Sequence, residues 1–149
     1  MRTAIKSLTP AVLSGDKFRG FDERGDFRTF CEANKPASFR LFSVRQVDPP
    51  VPPDVSNLDQ EQWTTSFEVQ IAYPNDYRYG DVDALDRDDC IDRDMRLVRD
   101  RIGCTGYSRL DVSSGGDATV ADVGWRRDET DTVTFVVLDL TAMYWRAMP

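Results

Sequence analysis

The sequence predicts an α+β fold in a single domain: a mainly antiparallel sheet of about four to five strands, one long helix packed on one face, and a short helical N-terminal segment. Three observations predict it. Phe67, Val69, Ile71 and Tyr73 alternate with Ser66, Glu68, Gln70 and Ala72, the period of two of a strand with one apolar and one wet face. Val82, Leu85, Ile91, Met95, Val98 and Ile102 then recur at helical spacing and form one apolar stripe. Finally, the first half of Thr132–Arg146, TVTFVVLDLTAMYWR, is apolar at nearly every position, as in a strand buried on both faces.

The elements follow in chain order. Residues 1–37 read as an irregular, partly helical arm. Ile5, Leu8, Val12 and Leu13 fall on one side of a short opening helix across residues 1–14, which Pro10 interrupts. Asp26 is placed to cap a helix over Phe27–Ala33, with Asn34 and Pro36 to stop it. Phe18, Phe21, Phe27 and Phe30 cluster here, which favours a satellite core over an exposed aromatic surface. Ser38–Val47 alternates as a strand. From Asp48 to Trp63 the chain holds Pro49, Pro50, Pro52 and Pro53, which force an extended path poor in hydrogen bonds. A loop of that length is often functional.

Pro74 ends the Phe67–Tyr73 strand, and Asn75, Asp76 and Gly80 supply turn chemistry. Aspartates crowd the start of the long helix and Arg96, Arg99 and Arg101 its end, which suits the helix dipole. Gly103 is placed as the residue just past the helix. Tyr107–Val112 reads as a short strand, Ser113–Asp117 as a flexible turn, Thr119–Arg126 as a strand and Asp128–Asp131 as a turn. Along Thr132–Arg146, Val136, Leu138, Leu140 and Ala142 share one face; Phe135, Val137, Asp139, Thr141 and Met143 share the other. A core of Val69, Ile71, Met95, Val98, Leu138 and Leu140 is expected. Asp139, midway along an apolar strand, needs a partner or water.

Composition narrows the function. A chain of 149 residues fits one domain, residues 1–149. No apolar run is long enough to cross a bilayer, and no signal peptide is read in MRTAIKSLTPAVL. Net charge is −7 and uneven: residues 1–40 hold eight Lys/Arg against five Asp/Glu, and residues 41–149 eleven against twenty-one. An acidic body argues against broad nucleic-acid affinity. Cys31, Cys90 and Cys104 form no CxxC pair, and Cys90 and Cys104 sit too far apart along a helix for a disulfide. Free, mostly buried thiols and synthesis in the cytosol are expected.

No histidine, GxSxG elbow, Cys–His pair or dinucleotide fingerprint is present. The SSGGD turn lacks the Gly-Lys-Ser/Thr of a phosphate loop, and the aspartate run lacks the glycine and final glutamate of an EF-hand. A solvated, dipole-matched helix face is the expected reading of that run. Plentiful carboxylates leave a two-acid hydrolase open, but no enzyme, catalytic residue, metal or cofactor is expected.

The segments FEVQIAYP (Phe67–Pro74), the helix Asp83–Ile102, ATVADVGWRR (Ala118–Arg127) and TVTFVVLDLTAMYWR, in that order, resemble the tail-terminator proteins of long-tailed bacteriophages. The resemblance covers about two thirds of the chain and rests on element order. The N-terminal forty residues depart from it, because a longer regular opening helix would be expected there.

The resemblance implies a structural virion protein of the tail neck, assembled in the host cytoplasm. It would form a homo-oligomeric ring, a hexamer, at the head-proximal end of the tail tube, and end tube polymerisation. Its partners would be further copies of itself, the tail tube protein and the head-tail connector or stopper protein. Genomic DNA would pass an acidic lumen without specific binding, and no membrane is involved. Alternatives are a head-completion or stopper protein of the same neck and a stand-alone ligand-binding α+β domain. The candidate interface residues are Pro49, Pro50, Pro52 and Pro53 in a projecting loop, and Phe135, Asp139, Thr141, Arg126 and Arg127 on the sheet. The sheet face bearing Phe135 is expected to be hidden by a neighbour or by the N-terminal segment. The net-basic N-terminal segment is expected to meet a neighbour's acidic body, so that ring formation is favoured by low to moderate salt and weakened by removing residues 1–14.

Overall fold

The computed structural model describes residues 1–48, 56–57, 60–81, 86–103 and 118–147. In order come α1 (Arg2–Lys6), β1 (Arg19–Gly20), α2 (Phe27–Ala33), a 3-10 turn at Pro36–Ser38 and β2 (Leu41–Gln46). Next are β3 (Ser56–Asn57), β4 (Gln60–Pro74), a 3-10 turn at Arg78–Asp81, α3 (Arg87–Gly103), β5 (Ala118–Glu129) and β6 (Val133–Ala147). One sheet runs β1-β2-β4-β6-β5, with β3 folded back on β4. Its pairings are antiparallel except for the short parallel β1–β2 contact. The predicted α+β class holds, with α3 as the principal helix.

β4 and β6 form the spine of the sheet. They pair without interruption from Gln60 opposite Ala147 to Pro74 opposite Val133. β4 therefore starts well before the Phe67–Tyr73 segment that its apolar alternation marks. Gln60, Glu61 and Gln62 carry no apolar signal, and the strand there is defined by its ladder to β6. The loop expected over Asp48–Trp63 is shorter for the same reason: Gln60–Trp63 is strand, and Ser56–Asn57 pairs with it. Pro74 closes β4 as expected. β2 begins at Leu41 instead of Ser38, because Pro36–Ser38 is a 3-10 turn and Arg40 adopts φ 56°, a left-handed conformation that no strand continues through. Pro49, Pro50, Pro52 and Pro53, Cys104, and the expected strand and turn over residues 107–117 lie outside the described residues.

The expected core is present. Val69, Ile71, Met95, Val98, Leu138 and Leu140 are buried together between the sheet and α3. The N-terminal segment completes this layer. Only Arg2–Lys6 is helical before Pro10, yet Ile5, Leu8 and Val12 are at most 7% exposed and Phe18 joins them. Residues 1–14 thus form part of the wall of the core. Three apolar anchors hold them there against the entropy of a free terminus.

The segment then crosses the β2 edge through β1 and turns over to the other face. There Asp26 caps α2 by accepting a hydrogen bond from the Thr29 amide at 2.8 Å, as its sequence position predicts. α2 lays Phe27 and Cys31 on Leu41, Ala72, Val133 and Phe135, with Phe21 and Phe30 beside them. Phe27 meets Phe135 edge-on at 6.0 Å. Phe135 is fully buried by this contact, so the chain itself hides it. The four phenylalanines divide: Phe18 serves the main core and the other three the smaller one. Cys31 and Cys90 are free and buried. No helix among the described residues is long and apolar enough to cross a membrane.

Candidate functional site

Below α2 no element among the described residues covers the second sheet face, and strand alternation fills it with polar groups. Register sets them in rows. Ser43, Gln70, Val137 and Arg126 stand abreast on β2, β4, β6 and β5; Arg45, Glu68, Asp139 and Gly124 form the next row. Gly124 follows a bulge at Asp122/Gly124 and sits at φ 138°, a conformation that a side chain would strain.

The rows are tied together by charge-assisted hydrogen bonds. Arg45 Nε donates to Glu68 Oε1 at 3.0 Å, and Gln70 Nε2 donates to the same oxygen at 2.6 Å. Arg126 donates to Asp139 at 2.6 Å and lies 3.7 Å from Glu68. From α2, Arg28 reaches down to Gln70 at 2.9 Å and Asp128 at 2.7 Å, with its guanidinium 4.9 Å above the Phe135 ring. Burial pushes the Glu68 carboxyl up, but the Gln70 and Arg45 hydrogen bonds and the charges of Arg45 and Arg126 outweigh it. Glu68 is held below its ordinary value. Asp139, for which the sequence showed no local partner, is thus paired with Arg126.

α2 and these rows enclose an open groove of about 460 Å³. Phe21 and Phe27 wall one side; Arg28, Arg45 and Arg126 rim it; Ser43, Glu68 and Gln70 form the floor. It is an open concavity with a mixed polar and aromatic lining. It contains no nucleophile–base pair, and no group of acids, cysteines or histidines that could hold a metal ion occurs among the described residues.

The structure brings only part of the predicted interface set together. Arg126, Asp139 and Thr141 share the open face, Arg126 and Asp139 as an ion pair. Phe135 is on that face but sealed under α2. Arg127 points the other way, toward α3, where it donates to Asp88 at 2.8 Å and Asp92 at 2.9 Å. Arg28, Arg45 and Glu68 were missed. They belong to three elements distant in sequence, and only the pairing register reveals their convergence.

A second polar constellation lies inside the main core. Arg40 and Asp94 are 0% and 1% exposed. Arg40 binds Asp94 through Nε at 2.6 Å and a terminal nitrogen at 2.9 Å, a two-pronged contact. Its remaining donors meet the carbonyls of Val12, Leu13 and Asp16 at 2.8–2.9 Å. Tyr73 donates to Asp94 at 2.9 Å. Burial works against the Arg40 charge, but Asp94 outweighs it and raises Arg40 above its ordinary value. Burial pushes the Asp94 carboxyl up, with Arg40 and Tyr73 pulling it back.

The aspartate run is therefore not the uniformly solvated face expected of it. Asp94 is buried, Asp88 and Asp92 are held by Arg127, and Asp86 takes the Asp89 amide at 2.8 Å near the start of α3. The helix begins at Arg87, later than Asp83, and Gly103 is its last residue. This node ties the N-terminal segment to β4 and α3.

No family model matches the chain, and no curated protein matches it in sequence.

Proposed function

We propose that this chain is a structural ring subunit of a phage tail neck. It closes the head-proximal end of the tail tube and joins it to the head connector. The observation that carries the reading is architectural. One sheet face is sealed by α3 and the N-terminal segment, while the other is half covered by α2 and presents a row of fixed charges. Two chemically different faces suit head-to-tail packing, in which each copy meets its neighbours through different surfaces. The acidic balance of residues 41–149 suits a channel through which DNA slides without sticking.

The test is a choice of partner. Labelled protein is offered tail tubes and portal complexes side by side and located by electron microscopy. Decoration of one tube end supports the terminator role. Binding to portals alone moves the chain to the stopper role of the same neck. Binding to neither, with a small molecule held in the 460 Å³ groove, would support a stand-alone ligand-binding domain.

A further inference from the structure

A second hollow, of about 590 Å³, lies between residues 15–19, the 3-10 turn at Pro36–Ser38 and the chain just past β4. Its wall is aromatic. Tyr77 stacks on the buried Phe39 ring at 4.1 Å, and Pro36 lines the hollow with them. The Tyr77 hydroxyl donates to Asp16 at 3.0 Å, which fixes the ring. The charge around the rings is positive. Asp16 is the one acid among the described lining residues, and Arg78 already holds it at 2.6 Å. Lys17 and Arg19 are exposed and have no acid partner among the described residues; Arg19 donates to the Ala37 carbonyl. Stacked aromatic rings in a groove accept an extended proline run, and two unpaired cations beside them select acidic flanks.

The chain carries such a segment: Asp48 and Asp54 bracket Pro49, Pro50, Pro52 and Pro53. The hollow of its own copy is out of its reach. The Thr65 hydroxyl holds the Asp48 carbonyl at 3.1 Å, whereas Phe39, at the hollow, meets Tyr73 at 5.9 Å. Thr65 and Tyr73 stand eight residues apart on β4, about 26 Å. The run from Asp48 to Ser56 must leave and return, so four residues each way extend it by about 14 Å at most. We propose that this hollow receives the Asp48–Asp54 run of a second copy of this chain, with the prolines against Tyr77 and Pro36 and the flanking acids on Lys17 and Arg19. The proposal rests on the ring reading and gives it a contact. Donor and acceptor stand at opposite ends of the sheet, so each copy gives at one end and receives at the other, as head-to-tail packing does.

Size-exclusion chromatography with light scattering on the full chain, over a dilution series at about 0.1 M salt, tests it. Lys17→Glu with Arg19→Glu should weaken self-association about tenfold, and Asp48→Lys with Asp54→Lys should do the same. Joining the two pairs reverses both partners and should recover most of the loss. Pro50→Gly with Pro52→Gly should also weaken association about tenfold, because the freed backbone costs more to order. Thermal midpoints should stay near that of the parent, since Lys17, Arg19 and Asp48 are exposed. Association unchanged in either charge pair or in the proline pair overturns the contact, and so does a joined variant that stays weak. A parent chain that stays monomeric throughout also overturns it, while decoration of tube ends would still support the ring.

Discussion

Asp94→Asn is the sharpest perturbation of the fold. The substitution keeps the side chain's shape and removes its charge. Arg40 then remains 0% exposed, with its charge facing an amide, Tyr73 and three backbone carbonyls. Removing one partner of such a buried pair costs about 3–5 kcal/mol. Domains of this size hold about 5–15 kcal/mol in total, so the loss is a large share of it. At about 2–4 °C per kcal/mol for a chain near this length, the thermal midpoint should fall by roughly 10 °C. Urea unfolding followed by circular dichroism gives the same quantity as a lower midpoint. A control separates charge from volume. In Arg40→Met with Asp94→Leu no unpaired charge is left, so the pair should cost less than the sum of its single variants. If Asp94→Asn unfolds within about 2 °C of the parent, less than 1 kcal/mol is at stake. The node then does not anchor residues 12–16.

Three further outcomes follow from the same structure. Leu138, fully buried between β4, β5 and α3, should cost about 2–5 kcal/mol when cut to alanine, read from denaturant unfolding. Glu68 is held below its ordinary value by Gln70, Arg45 and Arg126, so between its folded and unfolded pKa the unfolded chain binds more protons. Its stabilisation is present at neutral pH and is lost as pH falls through the folded pKa. Glu68→Gln should therefore cost roughly 1–2 kcal/mol at neutral pH and almost nothing once pH has fallen through the folded pKa, in paired pH–stability curves. Burial pushes the Cys31 and Cys90 thiols up to about 12. In a Cys104→Ser background both should resist a thiol reagent at pH 8 until the protein unfolds, and the reagent assay with and without urea checks this.

How far the sequence could be read depended on whether burial or pairing defined each element. Phe67–Tyr73 and Val133–Ala142 announce themselves through apolar residues, and the core they predict is the core found. Asp26 and Asn34 mark the ends of α2 through local hydrogen bonds, which sequence displays directly. Gln60–Gln62 is polar, and its strand exists because β6 lies alongside. Ile5, Leu8 and Val12 showed a one-sided pattern, but not that it closes the main core. The site was less legible still. Arg28, Arg45, Glu68 and Arg126 span nearly a hundred residues and meet only through the register of four strands. Asp94 looked like one more acid in a charged run, and its burial follows from a helix phase shared with Cys90, Ile91 and Val98.

The ring reading is tested most directly by arrest of tube growth. Purified chain is added to polymerising tail tube protein, and tube lengths are measured by electron microscopy. The account predicts tubes that stop at shorter lengths as the chain concentration rises, each carrying a ring of this protein at one end. Tubes that grow to the same length distribution with bare ends would contradict it.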